Sequence, residues 1–206
     1  MAAAASPASS PLADAPSDAV DQRVHISGVT WEQYETLRLT LDEHPSVRLT
    51  YLEGELDILV TSPKHERIKT MIARLLESYA LECGVDLNGY GETTFRKRAR
   101  ERGLEPDECY VLGTPLIEIP DLAIEVALTS GAIDKLDVYA GLAIPEVWIW
   151  RNDALEVWHL AKESGPYERR ARSVLLPDLD LEAMVPFVGW PNQTAAVRAY
   201  RDTLKK

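Results

Sequence analysis

The stretch DLAIEVALTSGAIDKLDVYAGLAIPEVWIW, residues 121–150, decides the fold. Its first part, LAIEVAL, is apolar except for Glu125, which is typical of a strand buried on both faces. Ser130 then caps a predicted helix, GAIDKLDVYAGLAI, which ends at Pro145. The predicted inward stripe of this helix is Ile133, Leu136 and Ala140. EVWIWRN follows as another strand, so this region alternates strand, helix and strand.

The segments on either side continue this alternation. HERIKTMIARLLESYALECG carries apolar residues at helical spacing and stops at Gly84, which predicts a long helix with one buried face. Before it, VRLTYLEGELDILVTS alternates around Glu53-Gly54-Glu55 and predicts a hairpin. The chain closes with the strand pattern ALEVWHLAK and the helix pattern PNQTAAVRAYRDTLKK. The whole predicts a mixed α/β fold with a mixed central sheet flanked by helices.

Length and composition favour a single domain. A chain of 206 residues with 46% hydrophobic content can bury one ordinary core. Residues 1–22 are mainly Ala, Ser, Pro and Asp without hydrophobic periodicity, so we predict a disordered tail there and one domain over 23–206. Secretory and membrane-spanning patterns are missing from the sequence, and we expect a cytoplasmic protein without membrane association. The two cysteines support neither a disulfide framework nor a cysteine zinc site.

The net charge of −11 argues against a nonspecific nucleic-acid coat protein, because such binding depends on Lys and Arg neutralising phosphates. A negative net charge does not exclude a local basic surface. Carboxylates of a metal site also count as negative in this sum and are neutralised when the ion binds.

Glu125 is the first candidate for chemistry, because a buried carboxylate without a partner costs several kcal/mol. With a period of two, Asp121, Ala123, Glu125 and Ala127 point to one face of the strand, so Asp121 and Glu125 could share a site. The alternative interpretation is a structural ion pair, since such networks also hold buried carboxylates.

Asp107, in Glu105-Pro106-Asp107-Glu108, begins the preceding predicted strand. Two acids from neighbouring strand ends suit Mg²⁺, which takes one or two carboxylates together with waters and substrate phosphates. A Pro-Asp pair is also common in turns, so the motif gains weight only from its pairing with Glu125. No phosphate-binding loop, serine-hydrolase elbow or zinc motif competes with this interpretation.

Three further residues are candidates for supporting roles. Lys135 could position a water or stabilise developing charge, and its alternative is a solvated helix lysine. His65 is at helical spacing from Ile68, which directs it toward the sheet, and its alternative is a core or capping histidine. Glu53 in the hairpin could reach the same edge or simply face solvent.

The densest basic run spans residues 96–102, with arginines at every second position. On one strand, Arg96, Arg98, Arg100 and Arg102 would face one way and form a stripe that follows a phosphate backbone. The alternative is an edge strand protected from aggregation by its charges.

These blocks together resemble the Uma-type restriction endonuclease family, a branch of the PD-(D/E)XK nuclease superfamily, over about Thr50–Val188. The resemblance rests on YLEGELDILVTSPKHERIK, GYGETTFRKRARERGLEPDECYVL, residues 119–150 and SVLLPDLDLE. It implies a restriction-endonuclease-like core and Mg²⁺-dependent phosphodiester cleavage, with Asp107 and Glu125 holding the metal and Asp121 as a further acid. Ala127 stands where the family motif places lysine, and the resemblance offers Lys135 of the next helix instead.

The leading hypothesis is therefore a DNA endonuclease that uses Mg²⁺, with Mn²⁺ as the alternative ion. Its catalytic residues would be Asp107, Glu125, Lys135 and His65, and Glu53 would support them. The second hypothesis is an inactive nuclease-fold module that binds nucleic acid or protein, and the third is another metal-dependent phosphoester hydrolase. Because the sequence shows no separate target-recognition domain, specificity would come from loops or from a homodimer.

Overall fold

The computed structural model describes residues 20–97, 101–113, 119–162 and 165–205, and in this part of the chain the strands form two sheets. The strands of the first sheet are β1 (Gln22–Ser27), β2 (Val47–Leu52), β3 (Glu55–Val60), β5 (Phe95–Lys97) and β6 (Arg102–Leu104). Their spatial order is β1-β3-β2-β6-β5, and every pairing is antiparallel. The predicted hairpin is β2 and β3, joined at Glu53 and Gly54.

The second sheet is mixed and carries the stretch that decides the fold. Its strands are β4 (Leu87–Gly89), β7 (Glu108–Leu112), β8 (Leu122–Val126), β9 (Glu146–Arg151), β10 (Ala154–Leu160) and β11 (Tyr167–Arg170), in spatial order β11-β10-β9-β8-β7-β4. β8 and β9 are parallel, which requires a crossover, and α3 (Lys135–Leu142) supplies it. The predicted mixed α/β class is confirmed, while the division into two sheets was not predicted.

The remaining helices cover the sheets. They are α1 (Trp31–Leu41), α2 (Pro63–Cys83), α4 (Leu181–Met184), the 3-10 helix Val185–Phe187 and α5 (Gln193–Leu204). The long helix α2 matches its prediction: Ser62 caps its start, and Gly84 ends it in the left-handed conformation at φ 69°. Among the described residues, no helix combines the length and apolar character needed to cross a bilayer.

β8 separates two parts of the core. Leu122, Ile124 and Val126 pack with α2 and α5, whereas Ala123 faces α3 and the first sheet. The alternation predicted for this strand is therefore confirmed on its apolar side. Because Glu125 shares the face of Ala123, its side chain lies on the side of β8 that α3 covers.

Helix α3 is shorter than predicted. It begins at Lys135, and Asp134 rather than Ser130 caps it by accepting a hydrogen bond from the Leu136 amide at 2.9 Å. The physical reason lies in the preceding loop, where the amides of residues 132 and 133 donate to a buried carboxylate instead of entering a helix. Of the predicted inward stripe, Ile133 is buried but precedes the helix, and Leu136 is partly buried against the same core cluster. The buried residues within α3 are Val138, Tyr139, Gly141 and Leu142, which the predicted stripe did not include.

The N-terminal boundary lies earlier than the predicted residue 22. Gln22 already pairs with Val60 as the first residue of β1, and Asp21 is buried with 6% exposure. A polar contact with α2, described below, explains the burial of this aspartate. Residues 1–19 of the predicted tail lie outside the described residues.

Candidate active site

The antiparallel pairing of β7 and β8 brings Asp107 to the Glu125 end of β8. Glu108 lies opposite Ile124, so the residue before β7 reaches the last residues of β8. Asp107 Oδ2 accepts a hydrogen bond from the Val126 amide at 2.7 Å, and the side chain is almost fully buried. The predicted neighbourhood of Asp107 and Glu125 is therefore present in the structure.

Glu125 has two partners on α3. Its Oε2 lies 2.6 Å from Lys135 Nζ, and its Oε1 accepts a hydrogen bond from the Tyr139 hydroxyl. Burial raises the pKa of Glu125, and the charge of Asp107 adds to this increase, although Lys135 and Tyr139 act in the opposite direction. Two buried carboxylates that repel each other form a site that favours a cation.

Lys135 reaches this site from the first turn of α3. Its side chain is 18% exposed, so the ammonium group contacts both the buried carboxylate and solvent. The family resemblance offered Lys135 in place of the missing strand lysine, and the structure places the Lys135 ammonium group in contact with Glu125. Tyr139 lies one helical turn after Lys135, and this i, i+4 spacing is the sequence signal that could have identified it.

His65 is fully buried at the start of α2 and connects two acids. Its Nδ1 lies 2.9 Å from Asp21 Oδ2, and its Nε2 lies 2.9 Å from Asp107 Oδ1. Burial alone would lower the pKa of His65, but the contacts with Asp107 and Asp21 outweigh burial and raise it to about 9. A pKa raised in this way favours the protonated imidazole at neutral pH, and the contact with Asp107 restrains that carboxylate.

The contacts with His65 also shift the pKa values of Asp107 and Asp21. Burial raises the pKa of Asp107, but the hydrogen bond and charge of His65 outweigh it and keep that pKa below its ordinary value. The pKa of Asp21 is also lowered by His65 and Ser62 against the effect of burial. Sequence reasoning missed Asp21 because it lies in a segment of disorder-promoting composition.

Asp121 lies away from these residues. It precedes β8, whereas Glu125 is near the end of that strand, about 13 Å further along at the usual rise per residue. Its Oδ2 accepts a hydrogen bond from the Leu112 amide at 2.8 Å, at the far end of β7. Facing the same side of a strand does not place two residues at one end of it, so the predicted sharing of a site by Asp121 and Glu125 is wrong.

The predicted arginine stripe is also not a single strand. Arg96 lies in β5 and Arg102 in β6, and these strands pair antiparallel with Arg96 opposite Gly103 and Lys97 opposite Arg102. Arg96 and Arg102 thus point to opposite faces, because adjacent residues alternate. Arg98 and Arg100 lie outside the described residues.

Both described arginines already have protein partners. Arg96 pairs with Glu35 of α1, and Arg102 donates to the Asp137 carbonyl. Arg102 also lies 3.1 Å from Glu53, whose side chain is largely exposed at the β2–β3 turn. The structure therefore places Glu53 beside Arg102, and no contact of Glu53 with Asp107 or Glu125 is seen among the described residues.

Asp57 is a buried acid that sequence reasoning missed. Its Oδ2 lies 3.1 Å from Arg23 and accepts hydrogen bonds from the amides of Ala132 and Ile133 at 3.2 and 3.4 Å. A Cβ on Gly131 would lie 2.6 Å from the same oxygen, so the loop needs glycine to approach so closely. Asp57 thereby fixes the loop that leads into Lys135. The available signal was the one that identified Glu125, an acid within an apolar strand.

A cavity of about 470 Å³ opens beside Glu125. The loop of residues 129–134 forms one wall, and β9 and β10 form another. Charged and aromatic lining residues are Arg23, Glu125, Asp134, Lys135, Arg151 and Trp158. The cavity gives an external ligand access to the Glu125–Lys135 pair, which is otherwise buried.

Asp107 and Glu125 are the residues that could hold a divalent metal. Their oxygens are the hard donors that Mg²⁺ prefers, and each carboxylate oxygen has a second lone pair beyond its present hydrogen bond. The described residues contain no group of three His, Cys, Asp or Glu side chains around one point. Two carboxylates with waters and substrate oxygens are a usual Mg²⁺ set, so the residues fit such an ion.

Comparisons with known proteins place the chain in a family. A structure described as a putative nuclease belonging to DUF820 from Anabaena variabilis is similar, with 13% identity, a TM-score of 0.48, and coverage of 78% of this chain and 99% of that one. No curated protein matches the chain in sequence. The profile of the Uma2 family, described as "Putative restriction endonuclease", matches residues 31–191, which includes the whole of Thr50–Val188. By this match over most of its length, the chain belongs to the Uma2 family.

Proposed function

We propose that this protein is a metal-dependent endonuclease that hydrolyses DNA phosphodiester bonds, with Mg²⁺ as the ion. Membership of a family described as "Putative restriction endonuclease" supports a nuclease. The observation that carries the proposal is the contact of Lys135 Nζ with Glu125 Oε2 at 2.6 Å, beside Asp107 and at the wall of an open cavity. A lysine, two carboxylates and access for a substrate are thus combined in one place.

In this proposal Asp107 and Glu125 hold the metal. The bound ion would act as a Lewis acid on the phosphate and lower the pKa of a water molecule. One oxygen of Asp107 accepts a hydrogen bond from the Val126 amide, and this bond fixes the orientation of the carboxylate relative to β8. The Tyr139 hydroxyl does the same for Glu125. Both carboxylates are therefore held in place before a ligand arrives, which is the preorganisation that a catalytic site needs.

Lys135 supplies a fixed positive charge at the cavity. An ammonium group has three donors, and the contact with Glu125 uses one of them. The remaining N–H groups can donate to a phosphate oxygen or to the attacking water as negative charge develops. His65 would not contact the substrate itself. Its contact with Asp107 orients that carboxylate, and the positive charge of the imidazolium balances the negative charge of Asp107.

Cleavage of plasmid and oligonucleotide DNA in Mg²⁺, Mn²⁺ or EDTA tests the proposal. We expect cleavage that requires the metal and falls at least 100-fold in Asp107→Asn, Glu125→Gln and Lys135→Met. Lys205→Met is the matched control, since Lys205 is exposed just after α5 and contacts only Asp202 among the described side chains. Equal cleavage by Lys135→Met and Lys205→Met would reject the role of Lys135.

Thermal and urea unfolding in Mg²⁺ test the metal site without requiring activity. An ion at ten times its dissociation constant would increase the free energy of unfolding by about 1.4 kcal/mol. The increase should be lost in Glu125→Gln and kept in Lys205→Met. A protein that shows no metal stabilisation and no cleavage, yet binds DNA, would instead be the inactive nuclease-fold module.

A further inference from the structure

The wall of the cavity beyond Glu125 continues across the second sheet on the same face. Strand register places Glu125 opposite Ile149 and Ile149 opposite Glu156, while Trp158 lies two residues after Glu156 on that face. Arg169 of β11 is opposite Trp158. Since neighbouring strands are about 4.8 Å apart, Glu156 and Trp158 lie about 10 Å across the sheet from the strand of Glu125.

Trp158 is the aromatic residue of this wall. It is half-buried, packs against the apolar core beneath α3 and lines the cavity. Its indole Nε1 lies 3.4 Å from Glu156 Oε2, a contact that restrains the ring. A restrained aromatic side chain at the edge of a polar cavity can stack on a flat ligand with little loss of its own freedom.

Two arginines lie on the same side of the sheet region as Trp158, one in the cavity lining and one opposite it on β11. Arg151 lines the cavity with a half-exposed side chain, and Arg169 lies 3.4 Å from Glu156. Arg23 and Lys135 line the opposite part of the cavity. The cavity lining itself holds three cations, Arg23, Lys135 and Arg151, against two acids, Glu125 and Asp134, and in a chain with a net charge of −11 this local excess of positive charge favours an anionic ligand.

Two hydrogen-bonding groups of the wall also lack protein partners. Among the described residues, Arg23 Nε and the Thr129 hydroxyl are buried without a hydrogen bond, and both residues line the cavity. A buried donor without an acceptor costs about 1–3 kcal/mol. A ligand rich in acceptor oxygens would reduce this cost, and phosphate groups are such ligands.

We infer that this cavity binds one unpaired DNA nucleotide next to the phosphate to be cleaved, with its base stacked on Trp158 and its phosphate near Arg23 and Arg151. The inference rests on the proposed function, because it assigns the neighbouring phosphate to Glu125 and Lys135. A volume of about 470 Å³ is within the range of pockets that hold small ligands. A base within an intact duplex could not enter without leaving its stack, so the substrate is single-stranded or frayed DNA.

Binding of three small probes tests the inference without cleavage. The probes are deoxyadenosine 5′-monophosphate, deoxyribose 5-phosphate and inorganic phosphate, titrated calorimetrically in Ca²⁺. Stacking of a base on an aromatic side chain contributes about 1–3 kcal/mol, so the nucleotide should bind about 5-fold to 150-fold more tightly than deoxyribose phosphate. Equal affinities for these two probes would overturn the inference.

Variants assign the binding to named residues. Trp158→Ala should bind the nucleotide no better than deoxyribose phosphate, whereas Trp158→Phe should retain most of the preference. Trp190→Ala is the matched control, because Trp190 is an exposed tryptophan that packs on Phe187 outside this cavity. Arg151→Gln should weaken all three probes by a similar factor. A base preference that is unchanged in Trp158→Ala would also overturn the inference.

The outcomes separate this inference from the proposed function. Base-dependent binding through Trp158, without DNA cleavage in any metal, would reject the endonuclease and retain the nucleotide site. Metal-dependent cleavage with base-independent binding would reject the nucleotide site alone. If both hold, a single-stranded oligonucleotide should be cleaved at least tenfold faster than the same strand in a duplex.

Discussion

The buried histidine predicts how the stability of the metal-free protein changes with pH. His65 is inaccessible to solvent and lies 2.9 Å from the carboxylates of both Asp21 and Asp107. Its pKa is raised from 6.5 to about 9, because the contacts with the two acids outweigh the opposing effect of burial. The native state therefore holds a proton that the unfolded chain releases near pH 6.5.

The sign and size of the effect follow from this difference in proton binding. Stabilisation by His65 is complete below about pH 6.5 and is lost as the pH rises through about 9. Between these values the slope approaches about −1.4 kcal/mol per pH unit, and we expect the free energy of unfolding to fall by about 2 kcal/mol from pH 7 to pH 9. The raised pKa of His25 acts in the same direction above pH 6.5, so its contribution is measured with a separate variant, whereas the half-buried carboxyl of Glu108, with a pKa raised to about 7, acts mainly below this window.

Urea unfolding in EDTA, followed by tryptophan fluorescence at pH 7, 8 and 9, measures the slope. His65→Gln should be less stable at pH 7 and should lose most of the pH dependence. His25 is the internal comparison, because its pKa is also raised by Asp57 and it is partly exposed; His25→Asn should leave most of the slope intact. If His65→Gln does not fold, NMR titration of the imidazole signals of the parent protein measures the pKa of His65 directly. A His65 signal that titrates near or below pH 6.5 would refute the reasoning.

Three further changes test packing and positioning. Gly103→Ala should lower the free energy of unfolding by about 1–3 kcal/mol in urea titrations, because the new Cβ would lie 2.9 Å from Cζ of the fully buried Tyr34; a change below about 0.5 kcal/mol would contradict this packing. Glu146→Gln should cost about 1–3 kcal/mol by the same assay, since one buried carboxylate oxygen accepts from Trp148 Nε1 at 2.7 Å and the other from the Val174 amide at 2.8 Å, and the new amide nitrogen would face one of these donors; equal stability would contradict this account. Asp57→Asn should reduce DNA cleavage roughly 10- to 100-fold through the loosened loop while Mg²⁺ stabilisation persists, and unchanged cleavage would remove its positioning role.

Local pattern was sufficient for much of the fold and for the centre of the site. The face of α2, the β2–β3 hairpin and the alternation in β8 follow from periods of 3.6 and 2, which are properties of a single segment. Glu125 could be identified for the same reason, because an acid within an apolar strand requires compensation wherever the strand lies. The lysine on the following helix was anticipated from the family resemblance, and the structure places it in contact with Glu125.

The pairing between distant segments could not be predicted from local sequence patterns. Asp121 shares a strand face with Glu125, yet the antiparallel partner β7 brings Asp107 to one end of β8 and leaves Asp121 at the other. The arginine run appeared continuous, but a reversal of chain direction between residues 97 and 102 puts Arg96 and Arg102 on opposite faces.

The sequence by itself thus determined the type of most elements, the burial of Glu125 and the family to which the motifs point. Only the tertiary structure decided that Asp21 and Asp107 meet on His65, that Asp57 holds the loop before Lys135, and that Trp158 faces the same cavity. The physical reason is that periodicity is fixed within a few residues, whereas strand direction and register depend on contacts between segments far apart in the chain.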